Sequence, residues 1–95
     1  MTNETLLRLG ELPWSEVNAL DRDRAVCILP VGAVEAHGPH LPLQTDGIIA
    51  AAMAEEAARL LAARDRLPLL LPAFEYTTAR FASGLAGTTS VRGET

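Results

Sequence analysis

Lysine is absent from this chain: all eight basic residues are arginines, which excludes a Schiff-base or lysine-nucleophile mechanism within it. A single cysteine, Cys27, excludes an internal disulfide, and its place in an apolar run predicts a buried structural thiol rather than a nucleophile. The basic residues form no cluster and the net charge is −4, so no nucleic-acid partner is expected. No apolar run approaches the length of a membrane span. The N-terminus, MTNETLLRLGELPW, lacks the basic start and apolar core of a secretory signal. There are no internal repeats and no low-complexity linker. These features suit a cytoplasmic protein with no membrane association.

With 48% hydrophobic residues and a mean hydropathy of +0.15 the chain is too apolar for a disordered segment. Its 95 residues bound it to one small domain or part of a larger one. The organising stretch is AVCILPVGAVEAHGPHLPLQTD, Ala25 to Asp46. The run from Ala25 to Val31 is rich in β-branched residues and reads as a buried strand. Glu35, His37 and His40 follow within a few residues, and Asp46 comes after a Pro-bounded loop. Both histidines of the chain lie in this window.

Residues two apart in extended backbone point the same way, so Glu35 and His37 can face one centre while Ala36 faces away. Gly38-Pro39 turns the chain and Pro42 stiffens the return. Asp46 opens the next apolar-periodic segment, which would place its carboxylate at a helix N-terminus. The three side chains are then expected to converge to within roughly 4–7 Å of one another, as shared coordination of a metal pair would allow. Glu, His and Asp suit a borderline cation such as Zn²⁺ or Mn²⁺ better than Ca²⁺. On the residues alone the bland alternatives stay open. Asp46 can be a helix cap, with Thr45 as its rival, the histidines can be ordinary loop residues, and Glu35 can be a solvated carboxylate.

Around this stretch the pattern alternates. Leu6, Leu7 and Leu9 form an apolar patch closed by Gly10, and Pro13 opens a short helix through Trp14, Val17 and Leu20. Trp14 reads as a core or interface anchor. Asp46 to Ala63, DGIIAAAMAEEAARLLAA, is predicted to be a long helix, with Ile49, Ala52, Met53, Glu56, Ala57, Leu60 and Leu61 at three- and four-residue steps. Leu67 to Phe74 is a second apolar run, bounded by Pro68 and Pro72, and reads as another buried strand. Strand, helix, strand is a βαβ unit over a parallel sheet. Glu75 to Ala82 looks irregular, Gly84 to Gly87 is a small-residue turn, and TTSVRGET suggests a short β segment with a helix cap at Thr95.

PVGAVEAHGPHLPLQTD, Pro30 to Asp46, resembles the signature of the creatininase family (creatinine amidohydrolases and relatives), PVG-x-x-E-x-H-G-P-H-L-P-L-x-T-D. Ala33, Val34, Ala36 and Gln44 stand at its variable positions. LPWSEV, from Leu12, is similar to the family's Leu-x-Trp-x-Glu helix start. Tyr76, Gly87, Thr88 and Glu94-Thr95 fit its later pattern. Leu85 and Ala86 stand where Phe-Pro is usual, and Ala82 where many members have histidine; these departures leave the metal motif alone and the substrate open.

The resemblance implies an α/β fold of three-layer type with a mainly parallel sheet and a Rossmann-like βαβ start, incomplete in this chain. Residues 1–95 would be the N-terminal portion of a single creatininase-like domain. It implies two metal ions, Zn and/or Mn, with Glu35 on one, His37 on the other and Asp46 bridging; His40 is not counted a ligand. Further ligands and the proton-transfer residue come from later family segments, and no histidine follows His40, so no catalytic base is assigned and the chain is expected to be part of a longer protein or a truncated product. The implied activity is metal-dependent hydrolysis of a C–N bond in a small-molecule amide or cyclic amide, by a homo-oligomer. The alternatives are a non-catalytic truncated fragment and a creatininase-fold binding protein.

Overall fold

The computed structural model describes residues 6–93; the expectations placed on Glu94 and Thr95 lie outside them. In chain order the elements are strand β1 (Leu7–Arg8), a 3-10 turn (Leu9–Glu11), helix α1 (Trp14–Asn18), strand β2 (Ala25–Ile28), helix α2 (Thr45–Ala62), strand β3 (Leu67–Leu70) and a second 3-10 turn (Arg80–Ala82). The strands pair in the order β1-β3-β2 and both pairings are parallel. This is the α/β architecture expected of strand, helix and strand in succession. No helix among the described residues is long and apolar enough to cross a membrane. The chain divides into two compact units, one comprising the residues up to Leu29 with Met53–Pro72, the other Pro30–Ala52 with the residues from Ala73 onward.

The first unit holds the sheet and the C-terminal part of α2. Leu69 and Leu70 of the central strand β3 are 4% exposed. Ala54, Ala58 and Leu70 form the core, with Leu6 and Ile28 packed against it. Alanines at i and i+4 share one helix face, and their small side chains allow the helix backbone close approach to its packing partner. The larger apolar residues lie on the other side: Met53 and Leu60 are 68% and 60% exposed. The three- and four-residue steps that include Met53 and Leu60 leave the packed face indistinct, because alanine occurs all round the helix. In an alanine-rich helix size, rather than hydropathy, chooses that face.

Four further features of this unit bear on the sequence reading. Strand β2 ends at Ile28 rather than continuing to Val31, because Pro30 has no N–H to donate to a ladder. Cys27, expected to be buried, is exposed: β2 is at the sheet edge and its alternation leaves Val26 and Ile28 half-buried and Cys27 outward. Trp14, read as a core or interface anchor, is 81% exposed, which removes the core reading among the described residues and does not bear on the interface one. Strand β1, too short to show any alternation, was not anticipated; it pairs through Leu7 with Leu69 and Arg8 with Leu70.

The end of α2 is closed by backbone geometry. Asp65 has φ 61°, and the N–H groups of Arg66 and Asp65 donate to the carbonyls of Leu61 and Ala62 at 3.0 and 3.2 Å. This is the pairing of a Schellman motif, with a left-handed residue at the position that favours glycine or asparagine. Arg24 pairs with the Asp65 carboxylate at 3.1 Å, but that side chain is 90% exposed and the pair contributes little. In the protein, Asp65→Val is expected to lower unfolding free energy by about 1–2 kcal/mol, while Asp65→Gly holds or raises it. Equal losses for the two substitutions in denaturant titrations would show that the left-handed conformation is not what limits this position.

The second unit contains the motif loop, the first turns of α2 and the segment after β3. It has no multi-residue strand among the described residues. Its order comes from single bridges, Val31 with Phe74 in parallel and Val34 with Thr89 antiparallel. The second of these is the form taken by the short β segment expected in TTSVRGET.

Candidate functional site

The stretch from Gly32 to Ala36, which carries Glu35 and leads into His37, is held by six hydrogen bonds. Gly32 N–H donates to Phe74 O at 2.9 Å, Glu35 N–H to Leu43 O at 3.0 Å, and Thr89 N–H to Val34 O at 2.8 Å. Ala33 N–H donates to Asp46 Oδ2 at 3.0 Å, Ala36 N–H to Thr88 Oγ1 at 2.9 Å, and Thr77 Oγ1 to Gly32 O at 2.9 Å. Gly38, with φ +80°, makes the turn expected of Gly-Pro. The bond from Glu35 to Leu43 closes the base of that turn. An irregular segment with its polar backbone satisfied in this way has few alternatives to its observed course.

Asp46 lies in the first turn of α2, as predicted. Its carboxylate does not cap the helix. Oδ2 instead accepts from Ala33, thirteen residues earlier. The loop and the helix start approach closely here because two glycines meet: a Cβ on Gly32 would lie 2.8 Å from both Cα and N of Gly47. Thr45, the rival cap, has its hydroxyl on Pro42 O at 2.6 Å.

Glu35, His37 and Asp46 are all half-buried, whereas His40 is exposed. The Glu35 carboxylate and the His37 imidazole have no hydrogen-bond partner among the described residues. The same set contains no group of three His, Cys, Asp or Glu side chains placed to hold a metal ion. Asp46 is therefore tethered to the loop, but the three residues do not form a closed cage by themselves. The donor set of two carboxylates and one imidazole nevertheless fits a borderline divalent cation in kind. All four ion pairs among the described residues join Arg8, Arg24 or Arg59 to Glu55, Glu56 or Asp65 in the first unit; none neutralises Glu35 or Asp46.

Beside the loop is an open, largely apolar cavity of about 450 Å³, lined by residues that include Ala36, Leu41, Leu43, Leu85 and Ala86. Gly87, with φ +88°, packs against Leu43 so closely that a Cβ would collide with its Cδ1. One polar residue escaped the sequence reading. Glu75, in the stretch read as irregular, has an Oε1 that is buried and without a partner, while Oε2 accepts from Gln44 Nε2 at 2.9 Å.

The sequence profile of the creatininase family, described as creatinine amidohydrolase, matches residues 10–95. The chain belongs to the creatininase family. It is 37% identical over 89 residues to the mycofactocin precursor peptide peptidase of Mycobacterium tuberculosis (strain CDC 1551 / Oshkosh), covering 87% of this chain and 35% of that protein. It is 32% identical over 93 residues to the creatinine amidohydrolase of Pseudomonas putida, covering 92% of this chain and 34% of that one. A tryptophan-to-alanine mutant creatininase superposes with a TM-score of 0.75 at 28% identity, and a glutamate-to-glutamine mutant creatininase complexed with creatine with a TM-score of 0.65 at 27%; each match covers 94% of this chain and 35% of that structure's chain. This creatininase-family chain thus spans about a third of the length of the relatives it matches.

The meeting of the two glycines makes a direct prediction. Gly32→Ala places a methyl group against backbone that cannot rotate away, so it should destabilise the protein by about 1–3 kcal/mol. A thermal melt indistinguishable from wild type would show that the loop and the helix start can separate without cost.

Proposed function

We infer that the protein is a metal-dependent hydrolase acting on the C–N bond of an amide, a peptide or a cyclic amide, and that Glu35, His37 and Asp46 are its contribution to metal binding in this chain. The observation that carries the reading is the hydrogen bond from Ala33 N–H to Asp46 Oδ2. It ties an acid at the start of α2 to the loop that presents Glu35 and His37, and leaves the other carboxylate oxygen of Asp46 with no hydrogen-bond partner among the described residues. A backbone N–H on a ligating carboxylate is the usual way a protein orients such a ligand.

A Zn or Mn pair bound there would lower the pKa of a bound water and polarise the substrate carbonyl. The chain's own residues serve by coordination and orientation. Glu35 and Asp46 contribute negative charge, His37 a neutral nitrogen, and the hydrogen-bonded loop keeps them from moving when substrate enters. In this reading their role is coordination, not direct attack on the substrate. The apolar cavity beside Ala36 would receive an uncharged part of the substrate, and its Leu85 and Ala86 stand where the family usually has Phe-Pro. That difference would shift which amide is accepted, and the two curated relatives, named for a precursor peptide and for creatinine, indicate how wide the choice is.

Three ligands are too few for two metals, so these 95 residues alone are expected to turn over no amide with added Zn²⁺ or Mn²⁺. Chelator-sensitive hydrolysis by them would overturn the incomplete-site reading and its alternative, a chain without activity. The ligand assignment is tested in the protein by Asp46→Asn. Asn keeps an oxygen for Ala33 N–H, so the melting temperature should hardly change, but it removes the charge that holds two cations together. Bound metal, measured by elemental analysis, and amide hydrolysis should both fall by about two orders of magnitude or more. Full metal occupancy with unchanged turnover would remove Asp46 from the site.

A further inference from the structure

Glu75 is the polar residue whose placement the site described so far does not use. It follows β3 in the segment from Ala73, next to a pocket of about 380 Å³ whose lining includes Val34, Leu43, Gln44, Phe74 and Tyr76. Its two carboxylate oxygens have different surroundings. Oε2 takes the hydrogen bond from Gln44 Nε2 at 2.9 Å. Oε1 is out of solvent and has no partner. A buried, unpartnered carboxylate oxygen is costly, so its retention calls for a reason.

The reason lies on α2. A Cβ on Gly47 would fall 2.7 Å from Glu75 Cδ and 3.2 Å from its Cγ, and would overlap Oε1. The glutamate therefore occupies the space that any side chain at residue 47 would need. Gln44 and Gly47 flank Asp46 in sequence, one just before the helix and one in its first turn. Glu75 holds the first by a hydrogen bond and the second by contact. Its negative charge also lies against the helix N-terminus, where the unpaired N–H groups and the dipole favour it.

We propose that Glu75 is the positioning residue for Asp46: it clamps the turn on both sides of that residue and so sets the direction in which the free carboxylate oxygen points. The proposal rests on the reading of Asp46 as a metal ligand. Ala33 fixes one oxygen of Asp46, and Glu75 fixes the backbone from which the side chain springs. Neither contact alone would determine where the second oxygen goes. Glu75 takes no part in coordination itself.

The experiment is an equilibrium titration of the metal-free protein with Co²⁺, followed by its visible absorption, alongside thermal melting by circular dichroism. Wild type, Glu75→Ala, Glu75→Gln and Gly47→Ala are compared. Glu75→Ala should bind Co²⁺ about 10–100-fold more weakly with an altered absorption band, and its melting temperature should be held or raised because an unpartnered buried oxygen is gone. Glu75→Gln keeps a carbonyl oxygen for Gln44 and fills the same volume, so it should restore the wild-type affinity and band. Gly47→Ala forces the carboxylate away from the helix while improving helix propensity; it should weaken Co²⁺ binding as Glu75→Ala does, and it serves equally if Glu75→Ala does not fold. Wild-type affinity and spectrum in both alanine variants would overturn the proposal while leaving the metal site standing. Weak binding by Glu75→Gln would also overturn it, because charge and not the clamp would then be the active feature. A wild-type protein that binds no Co²⁺ would overturn the proposal together with the functional reading beneath it.

Discussion

The second unit depends on the close approach of Gly32 and Gly47. With hydrogen in place of both Cβ atoms, the backbone at the start of the motif loop lies directly on the first turn of α2. The Asp46 carboxylate can then reach Ala33 N–H, and Thr77 and Phe74 can hold Gly32 from the other side. A methyl group on Gly32 would meet the backbone of Gly47, open the gap and break these bonds together. The steric demand is therefore the cause, and the hydrogen bonds are its consequence. This ordering explains why the segment needs no regular strand to be well defined: it is fixed by one contact and by the satisfied backbone around it.

The first unit is built on a different economy of space. Its helix packs through Ala54 and Ala58 and leaves Met53 and Leu60 outside. Burying two alanines removes far less apolar area from water than burying methionine and leucine would. The gain is fit, since a smooth helix face lets Leu70 of β3 pack against Ala54 and Ala58. Apart from β1, the elements of this unit are legible from composition: strong helix formers without proline give α2 to within a residue at each end, and two apolar runs flank it as parallel strands. The packed face was not legible, because hydropathy periodicity ranks methionine above alanine and says nothing of how near the neighbouring element comes. Strand length failed for a related reason. β2 stops before Pro30 although the apolar run continues, since a ladder needs donors as well as apolar side chains.

The candidate site divides along the same line. Glu35, His37 and Asp46 could be picked out because they fall within one short window whose types and spacing have chemical meaning, and the resemblance of that window to a family signature gave them roles. The partner of Asp46 could not be read, nor could Glu75. Their importance comes from residues 13 and 31 positions away, as the Ala33–Asp46 and Gln44–Glu75 bonds record. A lone glutamate in Ala-Phe-Glu-Tyr carries no local pattern to mark it. What could have drawn attention to it is its place shortly past the end of a buried parallel strand, where α/β folds gather their functional side chains.

Charge is distributed unequally between the two units. The arginines Arg8, Arg24 and Arg59 are spent on Glu55, Glu56 and Asp65, all in the unit that holds the sheet. The half-buried carboxylates of the other unit, Glu35, Asp46 and Glu75, have no arginine on them among the described residues. Partial burial penalises an ionised carboxylate unless something positive repays the lost hydration. The helix N-terminus offers about half a unit of positive charge to Asp46 and Glu75, and Ala33 and Gln44 offer neutral donors. Those contributions are enough to orient the carboxylates and too small to neutralise three of them. A divalent cation shared by Glu35 and Asp46 would balance the remainder, with the neutral His37 imidazole adding a ligand without adding charge. The ion-paired arginines thus all lie in the unit that holds the sheet, and under the proposed function the acids of the other unit are left for such a cation to balance.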